Sequence, residues 1–204
     1  MRYLLRIGLI LTPLCLLLSG CGGGTETVNI TGVLSDTVEF AGNVSFPTAS
    51  GITADTRQIS SLKGVVKLTD LVVHSPTGAK DAAIDSTGKY VIVDIPRATS
   101  YFFHVKDSSG NIYLSAAATL EGALNIDYKS TAEEIAFSEA LVLKTSLTLN
   151  QFRSKLGDSS ALKLLINTFL TDGSISTGTF SIKTDADIVA EAKRLASVTV
   201  ALID

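Results

Sequence analysis

The sequence predicts an α+β fold, in which an antiparallel β-sandwich in residues 28–122 is followed by a small helical region in residues 130–204. In the first part, short runs of alternating apolar residues lie between closely spaced turn signals, which is typical of sandwich strands. In the second part, apolar residues recur at the i, i+3, i+4, i+7 spacing of amphipathic helices. Charged residues make up only 18% of the chain, below the usual quarter, which favours a β-rich domain over a cytosolic enzyme.

A removable N-terminal segment, residues 1–20, precedes the predicted folded part. Two arginines are followed by an apolar run of 12 residues from Ile7 to Leu18. As a helix this run is about 18 Å long, too short for the roughly 30 Å hydrocarbon core of a bilayer. These proportions are typical of a signal peptide rather than of a permanent span. Residues 21–27 include three consecutive glycines and are predicted to form a flexible tether.

The four residues Leu18-Ser19-Gly20-Cys21 at the end of that run resemble the lipobox of bacterial lipoproteins. In that family two or three acyl chains are carried by the cysteine, and the chain is cut directly before it. The resemblance implies that Cys21 is the lipidated first residue and a firm membrane anchor. Cys15 does not fit, because Leu14 stands where the family has a small residue. The alternative is a cysteine that follows an apolar stretch by chance.

The charge and the cysteine content argue against a nucleic-acid partner and against disulfide or thiol chemistry. Removal of residues 1–20 leaves 15 basic residues against 20 acidic ones, a formal charge of −5. Because no basic cluster or stripe is present, a nucleic-acid partner is not expected. Cys21 is the one cysteine that remains, so neither a disulfide nor thiol chemistry is expected.

The clearest predicted strands lie between residues 89 and 116 and are separated by turns. These strands are Lys89–Ile95, Tyr101–Lys106 and Ile112–Ala116. Apolar runs at Val65–Leu68 and Leu71–Val73 also give a strong strand signal, and further short strands are predicted near Val28, Val38 and Val44. The turn before Lys89–Ile95 has Gly88 in place for a positive φ. In that strand Tyr90, Ile92 and Asp94 are expected on one face, with Ile95 on the other. Residues 48–61 show no period and are expected to form a long surface connection.

A Gly-x-Tyr hairpin, an apolar-Pro pair and a tyrosine at the next strand follow one another between residues 85 and 101. The residues concerned are Gly88, Tyr90, Ile95, Pro96 and Tyr101. Over residues 64–118 this pattern resembles the carboxypeptidase regulatory-like domain, a transthyretin-like β-sandwich, although residues 97–100 lack the family's glycine. The resemblance implies structural roles for Tyr90 and Pro96. Such domains occur as spacers, adhesion modules and relatives of starch-binding domains, so the fold selects no function.

Four helices are predicted after Gly122, each from a capping residue and an apolar stripe. Ser130 with Glu133, and Thr131 with Glu134, form overlapping capping boxes for a helix that ends near residue 144. The later helices start at Thr148, at Asp158 and at residues 184–187. Residues 174–183 are expected to form a loop or a brief hairpin, and residues 198–203 an apolar tail.

The two histidines are the candidate metal ligands. If their strands lie in one sheet, His74 and His104 could approach each other, with Asp70 or Asp94 completing a site. The spacing does not demand this, and no metal site is predicted. Four acidic or amide residues near turns suggest calcium, namely Asp81, Asp85, Asp107 and Asn111. They lack the loop pattern of an EF-hand, and turn formation explains them.

Patterns that would indicate catalysis do not occur in the sequence. It contains no Gly-x-Ser-x-Gly nucleophile elbow, and the glycines at 22–24 are not followed by the Lys-Ser/Thr of a phosphate loop. Glu133 and Glu134 occupy adjacent helical positions and point apart, so they cannot act as a carboxylate pair. No enzyme activity, catalytic residue or cofactor is predicted.

These observations predict a lipid-anchored protein of the bacterial cell envelope, at the outer membrane, with a non-enzymatic binding or structural role. Its partners would be the membrane, through the lipid, and an envelope protein or a glycan. A carbohydrate-binding or adhesion module is a second hypothesis, with Tyr101, Tyr113 and Tyr128 as candidate rings, although the absence of Trp counts against it. An accessory subunit of an envelope complex, and an enzyme or transport component with a site in residues 130–197, are also compatible with the sequence.

Overall fold

Two small β-sheets and four helices make up the part of the chain that the computed structural model describes, which is residues 36–47, 72–74, 81–171 and 181–203. The strands are β1 (Thr37–Asn43), β2 (Val72–His74), β3 (Ala82–Ala83), β4 (Lys89–Pro96), β5 (Tyr101–Lys106), β6 (Ile112–Ala118) and β7 (Gly122–Ala123). The helices are α1 (Tyr128–Leu143), α2 (Leu149–Lys155), α3 (Ser160–Thr171) and α4 (Ala186–Ala201). All belong to one compact unit, Ser35–Asp204. Within the described ranges, no helix has both the length and the apolar character needed to cross a bilayer.

The two sheets differ in size and in strand direction. The first has the order β4-β1-β7, and β1 pairs antiparallel with β4 but parallel with the two-residue β7. The second has the order β3-β2-β5-β6 with antiparallel pairs, and only β5 and β6 are longer than three residues. The predicted antiparallel β-sandwich is therefore wrong. The described strands form small, partly mixed sheets and no closed sandwich or barrel.

The β-sandwich prediction fails because helices cover strand surface that a sandwich would leave to solvent. Residues Tyr113–Ala118 of β6 are all buried, so both faces of this strand are covered. On one face of the sheet, Phe103 of β5 contacts Phe40 of β1, with ring centres 4.8 Å apart. On the other face, Phe102 of β5 stacks on Phe137 of α1, with ring centres 5.8 Å apart. The sheet therefore lies between a second sheet and a helix.

The sheets and the helices share one hydrophobic core, a question that the sequence patterns leave open. A single cluster of buried apolar residues includes side chains from β1, β4, β5, β6 and the four helices. Within it, Phe137 of α1 contacts Phe152 of α2, with ring centres 5.4 Å apart. The apolar stripes of the helices are therefore buried against the strands as well as against one another.

A bulge in β4 reverses the face on which its last isoleucine lies. Asp94 has φ 58°, a left-handed conformation that is uncommon outside glycine. The register of β1 shifts at this point, so that Val38 pairs with Ile95 while Phe40 pairs with Ile92. Two residues of β4 thus stand opposite one residue of β1, as in a β-bulge. Ile95 is consequently buried like Ile92, and its predicted position on the face opposite Ile92 is wrong.

Two glycines stand where a larger residue would be strained or would not fit. Gly88 has φ 86° in the turn before β4, which confirms the prediction for this position. At Gly42 of β1, a Cβ atom would overlap the carbonyl group of Leu124. The close approach allows residues 122–126 to run parallel to β1, where the Ile126 N–H donates to the Asn43 carbonyl at 2.8 Å.

Helix α1 begins before the residues that were predicted to cap it. Its N-cap is Asp127, whose side chain accepts hydrogen bonds from the backbone N–H groups of Lys129 and Ser130. The Ser130 hydroxyl accepts from the Asp127 N–H in return. The predicted capping boxes at Ser130 and Thr131 are therefore wrong. The hydroxyls of both residues instead donate to the carbonyl of Ser115, which attaches the helix to β6.

The later helices start where the sequence predicts. Thr148 caps α2, and Asp185 caps α4. Asp158 accepts a hydrogen bond from the Ser160 N–H at the start of α3. The predicted tail at residues 198–203 is wrong, because α4 continues to Ala201 and Val200 is buried. The strands predicted near residues 28 and 65, the connection at 48–61 and most of residues 174–183 lie outside the described residues.

Candidate functional site

The residues considered for lipid or metal binding are only partly within the described structure. Cys21 and Asp70 lie outside the described residues. Strands β2 and β5 pair so that His74 stands opposite His104 in the register, while Asp94 belongs to the other sheet. Among the residues that the structure describes, no group of three or more His, Cys, Asp or Glu could hold a metal ion.

The tyrosines considered for sugar binding lie mainly in the core. Tyr101 is 1% exposed, and its hydroxyl accepts a hydrogen bond from the Ala98 N–H at 2.7 Å. Tyr113 is 2% exposed, and its hydroxyl donates to Asp107 at 2.9 Å. Tyr128 is half-buried. Two of the three candidate rings are therefore inaccessible for stacking on a sugar.

The acidic residues of the turns are engaged by their own loops. Asp85 Oδ1 accepts hydrogen bonds from the hydroxyl and N–H of Thr87, both at 2.7 Å, and from the N–H of Lys89 at 3.0 Å. These bonds lower the pKa of the Asp85 carboxyl, the Thr87 hydroxyl having the largest effect. Asp107 accepts from the N–H groups of Ser109 and Asn111 in the same way. Both carboxylates therefore stabilise turns.

Tyr90 and Pro96 occupy structural positions in β4. Tyr90 is 2% exposed, and its hydroxyl donates to the Leu124 carbonyl at 2.6 Å. Burial raises the pKa of this phenol. Pro96 is the last residue of the strand, in keeping with its inability to donate to a ladder. Tyr90 thus connects β4 to the segment that leads into α1.

A buried carboxylate, Glu134 of α1, is the centre of a polar cluster between the sheet and the helices. Its side chain is 0% exposed. Oε2 accepts from the Ser115 hydroxyl at 2.7 Å, and Oε1 accepts from Lys183 Nζ and from the Ser138 hydroxyl, each at 2.8 Å. Lys183 Nζ also lies 3.0 Å from His104 Nε2. These five residues, which we call the Glu134 cluster, connect β5, β6, α1 and the segment before α4.

The position of β6 at the edge of its sheet explains part of this arrangement. Its outer backbone groups have no neighbouring strand in the four-stranded order. At Ser115, the N–H donates to Thr131 Oγ1, and the carbonyl accepts from the same hydroxyl and from Ser130 Oγ. Glu134 follows Thr131 by three residues and so projects from the same side of α1. The helix thus covers a strand edge that would otherwise be open to pairing.

The electrostatics of the cluster favour the ionised carboxylate. Burial by itself raises the pKa of Glu134, but the neighbouring His104 imidazole, the charge and hydrogen bond of Lys183, and the Ser115 hydroxyl outweigh it and lower the pKa to about 2. His104 Nε2 is 3.9 Å from Glu134 Oε1, too far for a direct hydrogen bond. The direct hydrogen bonds from Lys183 Nζ and the Ser115 hydroxyl therefore hold the carboxylate in its ionised form.

The chemistry open to this cluster is limited by its hydrogen bonds. The Ser115 hydroxyl is fully buried and donates to the carboxylate, so it cannot approach a substrate as a nucleophile. Lys183 and His104, with side chains 28% and 20% exposed, are bonded to each other at the rim. The cluster therefore acts as an ionic connection between elements.

From the sequence, Glu134 was predicted to belong to a capping box at the start of a helix, and its burial was not predicted. Glu133 and Glu134 do point apart, as predicted. The guanidinium of Arg153 binds Glu133 at the surface, with Nε 2.9 Å from Oε1, while Glu134 points into the core. One signal in the sequence is that Glu134 lies three residues before Phe137, on the apolar side of the helix. The partner Lys183 is 49 residues away and gives no local signal.

Comparison with known proteins gives no relative from which a function could be transferred. No family model, no curated protein and no solved structure matches this chain. Its function therefore has to be inferred from its own residues.

Proposed function

We propose that this chain is a lipid-anchored lipoprotein of the bacterial cell envelope, at the outer membrane, with a non-enzymatic binding or structural role. The observation that carries the proposal is the tetrad Leu18-Ser19-Gly20-Cys21 directly after a 12-residue apolar run. Diacylglycerol on the Cys21 sulfur, with further acylation, gives the two or more lipid chains that stable anchoring requires. The membrane is then a partner through the lipid.

The contacts of the polar groups support a role without catalysis. Glu134 is occupied by Ser115, Ser138 and Lys183, and the carboxylates of the turns are bound by their own loops. Catalytic groups need a position from which they can reach a reacting atom. Glu134 and these turn carboxylates instead hold elements of the fold together. A folded domain on a lipid tether suits binding at the membrane surface.

Mass spectrometry of protein purified from membranes tests the anchor. The expected product begins at Cys21 and carries the mass of a diacylglyceryl group. Cys21→Ser should remain uncleaved or leave the membrane fraction, whereas the control Cys15→Ser should be processed and lipidated like the wild type. A mature N-terminus elsewhere, or a wild-type protein that is not membrane-bound, would overturn the proposal.

A further inference from the structure

A groove of about 290 Å³ is lined by residues of α1, α2 and α3, by the segment before α1 and by Ala117 of β6. We call it the basic groove. Its charged lining comes from Lys129 of α1, Arg153 of α2 and Lys163 of α3, together with Glu133. Leu124 and Leu156 provide apolar surface. Three cations against one carboxylate make this site positive in a chain whose formal net charge is −3.

Two of the three cations of the basic groove, Lys129 and Lys163, are not held in an ion pair by the described residues. Glu133 is bound by Arg153, whose Nη2 also donates to the Ala117 carbonyl at 3.1 Å. The described residues provide no hydrogen-bond partner for Arg153 Nη1. They likewise form no ion pair or hydrogen bond with the ammonium groups of Lys129 and Lys163. Lys129 Nζ lies 5.8 Å from the centre of the Tyr128 ring, and Lys163 acts on Asp158 only through its charge, so both ammonium groups keep their hydrogen-bond donors. The hydrogen-bond donors of Arg153 Nη1, Lys129 and Lys163 are therefore available to a ligand in the basic groove.

A buried hydroxyl in the same groove independently points to a ligand. Ser159 lines the groove and is 6% exposed, yet its hydroxyl has no hydrogen-bond partner in the described part of the chain. Buried polar side chains are normally bonded, so a hydroxyl left without a partner requires an explanation. Ser159 directly precedes α3, which begins at Ser160. The positive end of the helix dipole at this point favours an anion.

The geometry points to a binding site for the phosphate group of a small ligand. Two unpaired ammonium groups and the Arg153 Nη1 donors match the charge of a phosphate, and the Ser159 hydroxyl can donate to one of its oxygens. The volume exceeds that of bare phosphate, and Leu124 and Leu156 can contact a short apolar body beside it. A phosphate ester in solution and a phospholipid headgroup share this chemistry. The site specifies a ligand class for the binding role proposed above.

Thermal unfolding of the mature protein in a non-ionic detergent tests the site. The probes are inorganic phosphate, glycerol 3-phosphate and micelles that contain phosphatidylglycerol, each compared with potassium chloride at equal ionic strength. A ligand that binds the native state raises Tm with its concentration. If inorganic phosphate or glycerol 3-phosphate raises Tm, the ligand is a soluble phosphate compound. If only phosphatidylglycerol raises Tm, the ligand is a phospholipid headgroup. If none of the probes raises Tm beyond the salt control, the proposal is wrong.

Three substitutions show whether the effect comes from the basic groove. Lys163→Gln should weaken binding of the effective probe about tenfold, because a charge-assisted contact is lost. Ser159→Ala should weaken binding by a few fold while leaving Tm without ligand unchanged or higher, since the hydroxyl has no partner in the free protein. Lys193→Gln, at an exposed position of α4, is the control and should bind like the wild type. Equal loss in Lys193→Gln, or no loss in Lys163→Gln, would contradict the proposal.

The two proposals can fail separately. Binding in the groove is read from Tm whether or not Cys21 carries lipid. The lipid anchor is read from the mass of the N-terminal peptide whether or not phosphate binds. If the protein is lipidated but no phosphate probe raises its Tm, the lipid anchor is supported and the phosphate-binding site is contradicted.

Discussion

The two faces of the β5–β6 pair are covered in different ways, and on β5 the face toward α1 is only partly buried. On the face toward β1, Phe103 packs against Phe40 with ring centres 4.8 Å apart, among apolar residues. On the face toward α1, the adjacent residue His104 lies beside Lys183 and the fully buried Glu134. Alternation along one strand thus places a hydrophobic contact and an ionic one back to back.

The difference shows that burial stabilises the two faces by different physical means. Apolar contact is non-directional, and its strength follows the area removed from water. A buried carboxylate is tolerated only when its partners satisfy it, and loss of one partner leaves an unpaired group behind. On the face toward β1, which we call the ring face, a change in side-chain size should therefore lower the free energy of unfolding by an amount that does not depend on pH. On the face toward α1, which we call the ionic face, the removal of a single partner or a fall in pH should lower the free energy of unfolding.

Among substitutions on these two faces, the largest effect is expected from Glu134→Ala. The substitution leaves Ser115 and Lys183 without their acceptor, and removal of one partner from a buried pair costs about 3–5 kcal/mol. Because Lys183 is 28% exposed and can reach water, we expect about 3 kcal/mol. Urea unfolding at pH 7 measures this change. Glu139→Ala on the same helix is half-buried and should change the free energy of unfolding by less than about 0.5 kcal/mol.

Acid should weaken the ionic face through the same carboxylate. The pKa of Glu134 is lowered from 4.5 to about 2 in the folded protein. A group with a depressed folded pKa stabilises above its unfolded pKa, so its contribution, about 3 kcal/mol, is lost as pH falls from about 4.5 to about 2. Unfolding curves across this range measure the slope. Glu134→Gln has no carboxyl to titrate and should show a shallower slope, and identical slopes would contradict the assignment.

The ring face should show a smaller, pH-independent loss in Phe40→Leu. Phe40 makes edge contacts with both Tyr101 and Phe103, and aromatic pairs contribute about 0.5–1.5 kcal/mol each beyond their buried area. We expect a loss of about 1–3 kcal/mol. Urea midpoints at pH 7 and pH 4 should fall by the same amount relative to the wild type. A loss that differs between the two pH values would show that the faces are coupled.

The smallest effect is expected from Tyr90→Phe, which keeps the buried ring and removes the hydroxyl. The hydroxyl donates to the Leu124 carbonyl at 2.6 Å, so the substitution should cost about 1 kcal/mol, the usual net value of a hydrogen bond. Urea unfolding compares it with Tyr90→Ala, which should cost about 3–5 kcal/mol because it also opens a cavity. A silent Tyr90→Phe would mean that only the ring matters at this position.

Much of the local structure follows directly from short stretches of sequence. Strands β4 and β5, the turn with Gly88, and the helix starts at Thr148 and Asp185 are predictable because alternation, positive φ and capping act over a few residues. A local pattern of the same kind is the basis of the lipidation proposed at Cys21.

Short stretches of sequence do not predict the structure where segments distant in the chain pack together. The parallel pairing of β1 with β7 joins residues about 80 positions apart and needs Gly42 for the close approach. The bulge at Asp94 is visible only in the register with β1. The antiparallel sandwich is wrong because strand periodicity does not show what will cover the second face of a sheet.

The sequence by itself thus determined several short elements, the turn at Gly88 and the caps at Thr148 and Asp185, because each depends on neighbouring residues. Only the tertiary structure decided that helices cover the sheet, that Glu134 is buried among Ser115, His104 and Lys183, and that the cations of the basic groove converge. The physical reason is that burial and electrostatic pairing depend on distances in space. Ser115 and Lys183 lie 19 and 49 residues from Glu134, and folding alone brings them within 3 Å of its carboxylate.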